Sequence, residues 1–334
     1  MRLCSSARKT WAVWAGWAAA AALALPLAGF GATCTTQAAM AAGDRSVLAT
    51  AGAQIAEAVI EQDDATLQAA LLPAEAGAWN GIHDAVEDAA PLLKGGKVEL
   101  RSLYLLDASG LTAPADTQFF CSSADGSLTV TITMRALPPG KYAVVLADAA
   151  GAPLDGQMGV ILGWTDGAWK LAGLTVRPGI LEGHDGVWYW TRARELAANG
   201  QPWSAWFCYQ TARGLLVPVD FLSSPNLEKL DTEASQIAGS PQNAFPYAVP
   251  DGDRTWKIDS IHADATLNHD DVGVVYESTG VSDAAAQRTE AVTVLSALLK
   301  ARPELRQNFH GLWAYAAANG KTTPVMELPM GQIP

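Results

Sequence analysis

Positive charge is scarce in this sequence. Its 334 residues include 22 Lys and Arg against 34 Asp and Glu, which gives a formal net charge of −12. There is no run of basic residues after residue 10, and loss of the segment up to Gly43 would remove Arg2, Arg8 and Lys9 and take the charge to −15. Phosphate backbones and anionic lipids repel a chain this acidic. The composition therefore argues against nucleic acid as a partner, and against membrane association unless the N-terminal segment is retained.

The sequence also lacks the short motifs that mark several common enzyme classes. It has neither G-x-x-x-x-G-K-S/T nor G-x-G-x-x-G, the loops whose backbone amides hold phosphates. It has no G-x-S-x-G turn for a nucleophilic serine and no H-E-x-x-H pair of zinc ligands. We therefore expect no cofactor, and an enzyme is the less favoured interpretation.

Cysteine is scarce as well, with four residues in the chain. Cys4 and Cys34 belong to the N-terminal segment, so its removal would leave Cys121 and Cys208 as a pair in an oxidising compartment. A disulfide between Cys121 and Cys208 is one prediction. The alternative is two unrelated buried thiols, because Cys208 lies in an aromatic helical stretch where a small apolar side chain fits.

The first 43 residues have the three-part order of a secretory signal. Met1–Thr10 carries the basic residues, Trp11–Phe30 has no charge, and a small, polar stretch follows it. Ala39-Met40-Ala41 matches a cleavage site. The sequence thus predicts a signal segment over residues 1–43 and a periplasmic or extracellular protein.

Two other fates of this segment stay open. An uncleaved membrane anchor is one, because the uncharged run is long enough to span a bilayer, although Gly and Pro interrupt it. A lipoprotein attached through Cys34 is the other, but Gly31 and Thr33 fit the pattern of such a site poorly.

The spacing of apolar residues changes halfway along residues 44–178. Apolar residues recur with helical spacing over 45–72 and 79–93, and period-two alternation follows them. Asp166-Gly167 between two apolar runs is a hairpin signal. Helices followed by an antiparallel sheet indicate the α+β class. This order of elements, closed by the Trp-bracketed hairpin GWTDGAWKL, resembles the NTF2-like fold.

The NTF2-like resemblance implies a curved sheet whose helices close one side and leave an apolar pocket. The face predicted to point inward contributes Tyr104, Tyr142, Ile132 and Met134, and His83 on the second helix could reach the same space. Enzymes of that fold place acids or histidines in the pocket for proton transfer, whereas this face carries no carboxylate. The expected site is a ligand pocket lined by these five residues, with no catalytic residue assigned.

Residues 179–238 are predicted to form a helical hairpin region. Helical patterns over Trp188–Ala198 and Trp203–Leu216 flank Asn199-Gly200-Gln201-Pro202, where Gly ends one helix and Pro starts the next. The stretch ARELAANGQPWSAWFCYQTARGLLVP is similar to one tetratricopeptide unit, and no second copy follows. Residues 239–334 show strand and helix patterns that predict a C-terminal α+β domain.

Several segments of the second half resemble a family of secreted proteins from Acidobacteria. They are HDGVWYWTRAR, LLVPVDFLSSPNLEKL, PELRQNFHGLWAYA and the terminal ELPMGQIP. The resemblance supports the fold interpretation and the expectation of export, and it implies no activity.

One stretch concentrates potential metal ligands. His262-Ala263-Asp264 and His269-Asp270-Asp271 place two imidazoles and three carboxylates close together in the chain. The alternative is a solvated hairpin turn, and the spacing matches neither a zinc-protease helix nor a calcium loop. We therefore predict no metal site.

The function expected from these patterns is an exported, non-enzymatic protein that binds a partner protein or a small apolar ligand. One alternative is an NTF2-like enzyme that uses the pocket for general acid/base chemistry. Another is a membrane-anchored assembly factor. By analogy with NTF2-like domains, a homodimer formed through the sheet is a further expectation.

Overall fold

The structure is a computed structural model that describes residues 32–123, 126, 128–281 and 283–334. Most of the predicted signal segment, residues 1–31, lies outside the described part. The described residues belong to one compact unit, Gly31–Pro334. They form helices and mainly antiparallel sheets, which confirms the predicted α+β class. Among the described helices, none is long and apolar enough to cross a membrane.

The N-terminal half begins with one strand and three helices and continues with strands. In chain order its elements are β1 (Thr33–Thr36), α1 (Ala42–Glu61), α2 (Asp64–Ala70), α3 (Trp79–Leu93), β2 (Lys97–Asp107), β3 (Ala115–Ser122), β4 (Thr129–Leu137), β5 (Lys141–Ala150), β6 (Gln157–Thr165) and β7 (Ala168–Arg177). A short 3-10 helix, Pro73–Ala78, connects α2 to α3.

The C-terminal half alternates helices with strands. Its elements are β8 (Ile180–Leu181), β9 (His184–Asp185), α4 (Gly186–Ala198), α5 (Pro202–Leu216), β10 (Leu222–Ser223), α6 (Pro225–Ser235), β11 (Tyr247–Asp251), β12 (Arg254–Asp264), β13 (Asp271–Glu277), α7 (Ala284–Ala301), α8 (Leu305–Asn308), β14 (Gly311–Ala318) and β15 (Lys321–Pro329). The predicted helical hairpin, α4–α5, is confirmed.

The first sheet is antiparallel, with strand order β1-β2-β5-β6-β7, and its middle strand is buried on both faces. On β5, Ala143 and Val145 face α1, α2 and α3, whereas Val144 and Leu146 face the opposite side. Helix α1 lies so close to the sheet that a Cβ on Gly52 would come within 2.7 Å of the Val145 side chain. Glycine at this position is what permits the contact.

A smaller sheet covers the other face of the first sheet. It has the order β10-β4-β3, with β10 adding to the free edge of β4 after the chain has passed through α4 and α5. Phe119 and Ile132 are completely buried between the two sheets. The N-terminal half therefore has three layers, namely helices, the first sheet and the small sheet.

A disulfide between Cys34 on β1 and Cys121 on β3 joins these two sheets. The predicted Cys121–Cys208 pair is therefore wrong, and Cys208 is a buried free thiol on α5. β1 and β3 lie against each other, whereas Cys208 packs in a different hydrophobic core. The prediction failed because it assigned Cys34 to a segment that export removes.

The last part of the predicted signal segment belongs to the folded unit. β1 pairs with β2 from Thr33 opposite Asp107 to Thr36 opposite Tyr104, and Met40 is buried in the core beneath the helices. Cleavage after Ala41 would remove this strand, one half of the disulfide and a core side chain. The fold therefore needs the chain from β1 onward, and lipid attachment through the Cys34 thiol would break the same disulfide.

The C-terminal sheet has strand order β11-β12-β13-β14-β15. All neighbouring strands are antiparallel except β13 and β14, which are parallel because α7 crosses from the end of one to the start of the other. Trp203 and Phe207 on α5 share a core with Leu295 on α7 and with Val272 and Val274 on β13. The predicted helical hairpin region and the predicted C-terminal domain thus share one core.

Glu233 connects α6 to the α4–α5 helical hairpin through hydrogen bonds. Its carboxylate accepts hydrogen bonds from Trp190 Nε1 at 2.8 Å and Arg194 Nε at 2.7 Å, both on α4, and from the Tyr209 hydroxyl on α5 at 3.1 Å. The hydrogen bonds from Arg194 are the largest of the influences that lower the pKa of Glu233 to about 2.

Glu233→Gln should weaken the fold in a pH-dependent way. A pKa below the ordinary 4.5 means that the ionised carboxylate stabilises the folded state above about pH 4.5, and that this contribution is lost as the pH falls toward 2. We expect the free energy of unfolding in urea to drop by about 1–3 kcal/mol at pH 7. The matched control, Glu277→Gln, removes an exposed carboxylate and should change it by less than about 1 kcal/mol. A difference between wild type and E233Q that is constant from pH 7 to pH 3 would contradict this account.

The thiols offer a second test of the fold. A chain of residues 32–334, denatured without reductant, should show one reactive thiol, and Cys208→Ala should abolish it. Cys121→Ser should lower the free energy of unfolding by about 2–4 kcal/mol, because the disulfide closes a long loop. Labelling of Cys34 or Cys121 in the unreduced wild type would disprove the pairing.

Candidate functional site

Four of the five residues predicted to line the pocket belong to one core between two sheets. Tyr104, Tyr142, Ile132 and Met134 do come together, on the facing surfaces of the first sheet and the small sheet. Ile132 and Met134 are buried there, and burial raises the pKa of Tyr142, whose hydroxyl donates to the backbone oxygen of Pro138 at 3.0 Å. These four residues contribute to one core between the two sheets, and Tyr104 and Tyr142 also line two separate surface clefts of about 220 and 310 Å³.

His83 does not reach this space. It lies on α3, which packs on the opposite face of the first sheet. Its Nδ1 is 3.1 Å from Asp64 Oδ1 and its Nε2 is 3.7 Å from Glu87. The hydrogen bond to Asp64 raises the pKa of His83. The structure therefore separates His83 from the other four residues of the predicted site.

An apolar cleft opens instead between α1 and the β6–β7 hairpin. We call it the Trp164 cleft, and its volume is about 260 Å³. Its lining is mainly apolar, with Lys141 and Asp44 as the charged members, and it comprises Met40, Asp44, Val47, Leu48, Leu105, Lys141, Trp164 and Trp169. Val47 and Trp164 are 55% and 42% exposed, and both line this one cleft.

The hairpin turn explains why two tryptophans meet at this cleft. Asp166 and Gly167 both have positive φ, as the predicted Asp-Gly turn requires. Trp164 and Trp169 are therefore opposite each other across β6 and β7, with ring centroids 5.1 Å apart in an edge-to-face arrangement. The exposed Trp164 ring presents an aromatic surface to the cleft.

A second site lies on the face of the C-terminal sheet that is turned away from the core. The register places Asp264 opposite Asp271, and Asp271 beside Gly311. His262, His269 and His310 all lie in this region, which is three of the five histidines in the chain. A concentration of titratable side chains in one place is a recognised sign of a functional site.

Three of these side chains converge, and we call them the Asp271 site. His310 Nδ1 is 2.9 Å from Asp271 Oδ1 and 3.8 Å from Glu327 Oε1. The backbone holds His310 in place, because its N–H donates to Asp270 O at 2.9 Å and its carbonyl accepts from Met330 N at 2.8 Å. Each of the three side chains offers one ligand atom within 4.8 Å of the others, an arrangement that can hold a metal ion.

Both carboxylates of the Asp271 site are shielded from solvent, and this affects their pKa values. The Asp271 side chain is completely buried and that of Glu327 is 15% exposed. Burial raises the pKa of Asp271, against the influence of His310, and it raises the pKa of Glu327, where the Asp271 charge adds to the effect. Two carboxylates thus lie within 4 Å of the same imidazole nitrogen.

A neighbouring group of residues is saturated with hydrogen bonds. The Tyr315 hydroxyl donates to Asp264 Oδ2 at 2.6 Å, and His262 Nε2 lies 3.6 Å from the same oxygen. Burial alone would raise the pKa of Asp264, but hydrogen bonds from His262, Thr266 and Tyr315 hold it well below the ordinary value. This carboxylate has partners among the described residues for both its oxygens, whereas Asp271 Oδ2 and Glu327 Oε1 have none.

The sequence missed the Asp271 site because its members are far apart in the chain. Asp271 was one of the residues considered as a metal ligand, and the prediction of no metal site depended on the local spacing around it. His310 and Glu327 reach it only through the pairing of β13, β14 and β15. The repeated His–Asp pattern was a partial signal, but it pointed to His262 and His269.

Comparison with models of known protein families, with curated protein sequences and with solved structures finds no match. The resemblances to the NTF2-like fold, to a tetratricopeptide unit and to the acidobacterial secreted family therefore stay predictions.

Proposed function

We propose that this chain is an exported, non-enzymatic protein that binds a small apolar molecule in the Trp164 cleft. The observation that carries the proposal is the exposed pair Val47 and Trp164 at the mouth of a cleft whose walls are apolar. Exposed apolar surface next to a concave site is typical of ligand-binding proteins. With a volume of about 260 Å³, the cleft suits a small molecule rather than a protein segment.

General acid/base catalysis has less support. The five residues of the predicted pocket, where such chemistry would take place, are divided between a core and the opposite face of the first sheet. The Trp164 cleft has Asp44 as its one carboxylate, and Asp44 is exposed at the start of α1. An exposed carboxylate is surrounded by water, so it is poorly placed to take a proton from an apolar substrate.

Export is supported by two features. The N-terminal residues have the order of a secretory signal, and the folded unit contains a disulfide. Structural disulfides form and persist in oxidising compartments such as the periplasm, and are rare in the cytosol. The acidic composition agrees with a protein that stays free of nucleic acid and anionic lipid.

The ligand proposal predicts the effect of one exposed substitution. Val47→Lys places a charge at the mouth of the cleft, where an apolar ligand would have to displace its water. Binding of the neutral fluorescent probe N-phenyl-1-naphthylamine should weaken by about tenfold or more, which corresponds to about 1.4 kcal/mol. Titration of the probe, followed by its fluorescence increase, measures this.

The control for this experiment is Val187→Lys. Val187 lies on α4 and is 56% exposed, which matches the 55% of Val47, but it is outside the cleft. Lysine is a good helix former, so both variants should fold. Equal probe affinity in both variants, or no probe binding by the wild type, would refute the proposed site.

Export predicts where processing takes place. Expressed with its own N-terminus in a bacterium, the exported chain should begin ahead of Thr33 and retain Cys34, because β1 and the disulfide belong to the fold. Intact mass spectrometry of the exported fraction gives the N-terminus directly. A folded, exported chain that begins at Ala42 would contradict both the placement of β1 and the argument from the disulfide.

A further inference from the structure

We propose that Asp271, His310 and Glu327 bind a divalent transition-metal ion, with zinc as the best match to the ligand set. The site shares no residue with the Trp164 cleft, so each proposal can fail without the other. One imidazole nitrogen and two carboxylate oxygens are common zinc ligands, and three protein ligands leave a fourth position for water or a substrate.

The first argument is that the site contains unpartnered oxygens. Asp271 Oδ2 and Glu327 Oε1 are buried and accept no hydrogen bond from any described residue. Asp271 has no exposed side-chain surface at all. A buried carboxylate oxygen without a partner costs free energy. Two unpartnered carboxylate oxygens in residues next to the same imidazole indicate that a cation binds between them.

The second argument is the spacing of the ligand atoms. Zinc binds nitrogen and carboxylate oxygen at about 2.0–2.2 Å, so in a tetrahedral site the ligand atoms lie about 3.3–3.6 Å from one another. Here His310 Nδ1 is 2.9 Å from Asp271 Oδ1 and 3.8 Å from Glu327 Oε1, and one ligand atom of each residue lies within 4.8 Å of those of the other two. These two distances lie on either side of the tetrahedral values.

The third argument is that the backbone leaves room for the carboxylates to converge. A Cβ on Gly311 would lie 2.6 Å from Glu327 Oε1 and 2.9 Å from Asp271 Oδ1. Any other residue at this position would push the two oxygens apart. His310 is 32% exposed, so the site has a path by which an ion can enter from the solvent.

Charge and ligand type select the class of ion. Two carboxylates and a neutral imidazole carry two negative charges, which a divalent cation balances. Calcium takes six to eight oxygen ligands and magnesium prefers oxygens and water, so both gain little from an imidazole nitrogen. First-row transition metals and zinc accept mixed nitrogen and oxygen sets.

The test uses the exported chain after removal of metal with a chelator. Isothermal titration calorimetry with Zn²⁺ should show one equivalent bound, and Ca²⁺ and Mg²⁺ should show none at the same concentrations. Glu327→Gln and His310→Asn should each weaken zinc binding by about a hundredfold or more. Gln has nearly the shape of Glu, and the Asn side-chain amide keeps a hydrogen-bond donor near the position of His310 Nδ1.

The matched control is His262→Asn. His262 lies on the same face of the sheet, 3.6 Å from Asp264, and it is not one of the three proposed ligands. It should bind zinc as the wild type does. Loss of binding in H262N with retention in H310N would overturn the assignment in favour of the Asp264 group, and absence of zinc binding in the wild type would overturn the proposal altogether.

Folding of the variants does not limit the test. Glu327→Gln replaces a buried, unpartnered charge by a neutral amide, so the metal-free variant should melt at the wild-type temperature or higher. Zinc should raise the melting temperature of the wild type and of H262N, but not that of E327Q.

The wild-type protein offers a further test that needs no substitution. One equivalent of bound Co²⁺ should give visible absorption bands, and added Zn²⁺ should remove them. Absence of these bands would count against the site.

Discussion

The first sheet is built around a strand that has to be buried on both faces. The run from Ala143 to Ala147 on β5 contains no polar side chain, so neither face of this strand can be left in water. Helices α1–α3 cover one face, and α1 reaches close contact at Gly52. The small sheet covers the other, and it is completed by β10 only after the chain has returned from α5. This need for two covering layers links the two halves of the molecule.

The same constraint accounts for the fate of the predicted pocket. A pocket needs an inner face that stays open, whereas the face that carries Tyr104 and Tyr142 is occupied by β3 and β4, with Phe119 and Ile132 between them. The Trp164 cleft lies elsewhere, where residues at the start of α1 and the two tryptophans of the β6–β7 hairpin line one concave surface. The proposed ligand site thus depends on the contact between this hairpin and α1.

The titratable side chains of the C-terminal sheet lie on the face opposite its hydrophobic core. The parallel pairing of β13 with β14 brings Asp271 beside Gly311, and the antiparallel return of β15 adds Glu327. Asp264 has its partners in Tyr315 and His262, whereas Asp271 and Glu327 have oxygens that no described residue satisfies. A buried carboxylate oxygen without a partner calls for an explanation, and a bound cation is one that fits the Asp271 site better than the Asp264 group.

By itself the sequence determined the α+β class, the helical hairpin, the Asp-Gly turn and most strand positions, because each depends on local periodicity and turn chemistry. Only the tertiary structure decided the partner of Cys121, the burial of both faces of β5 and the meeting of Asp271 with His310 and Glu327. These depend on which strands become neighbours. Which strands pair depends on the packing of the whole chain, and the spacing of residues in the sequence does not show it.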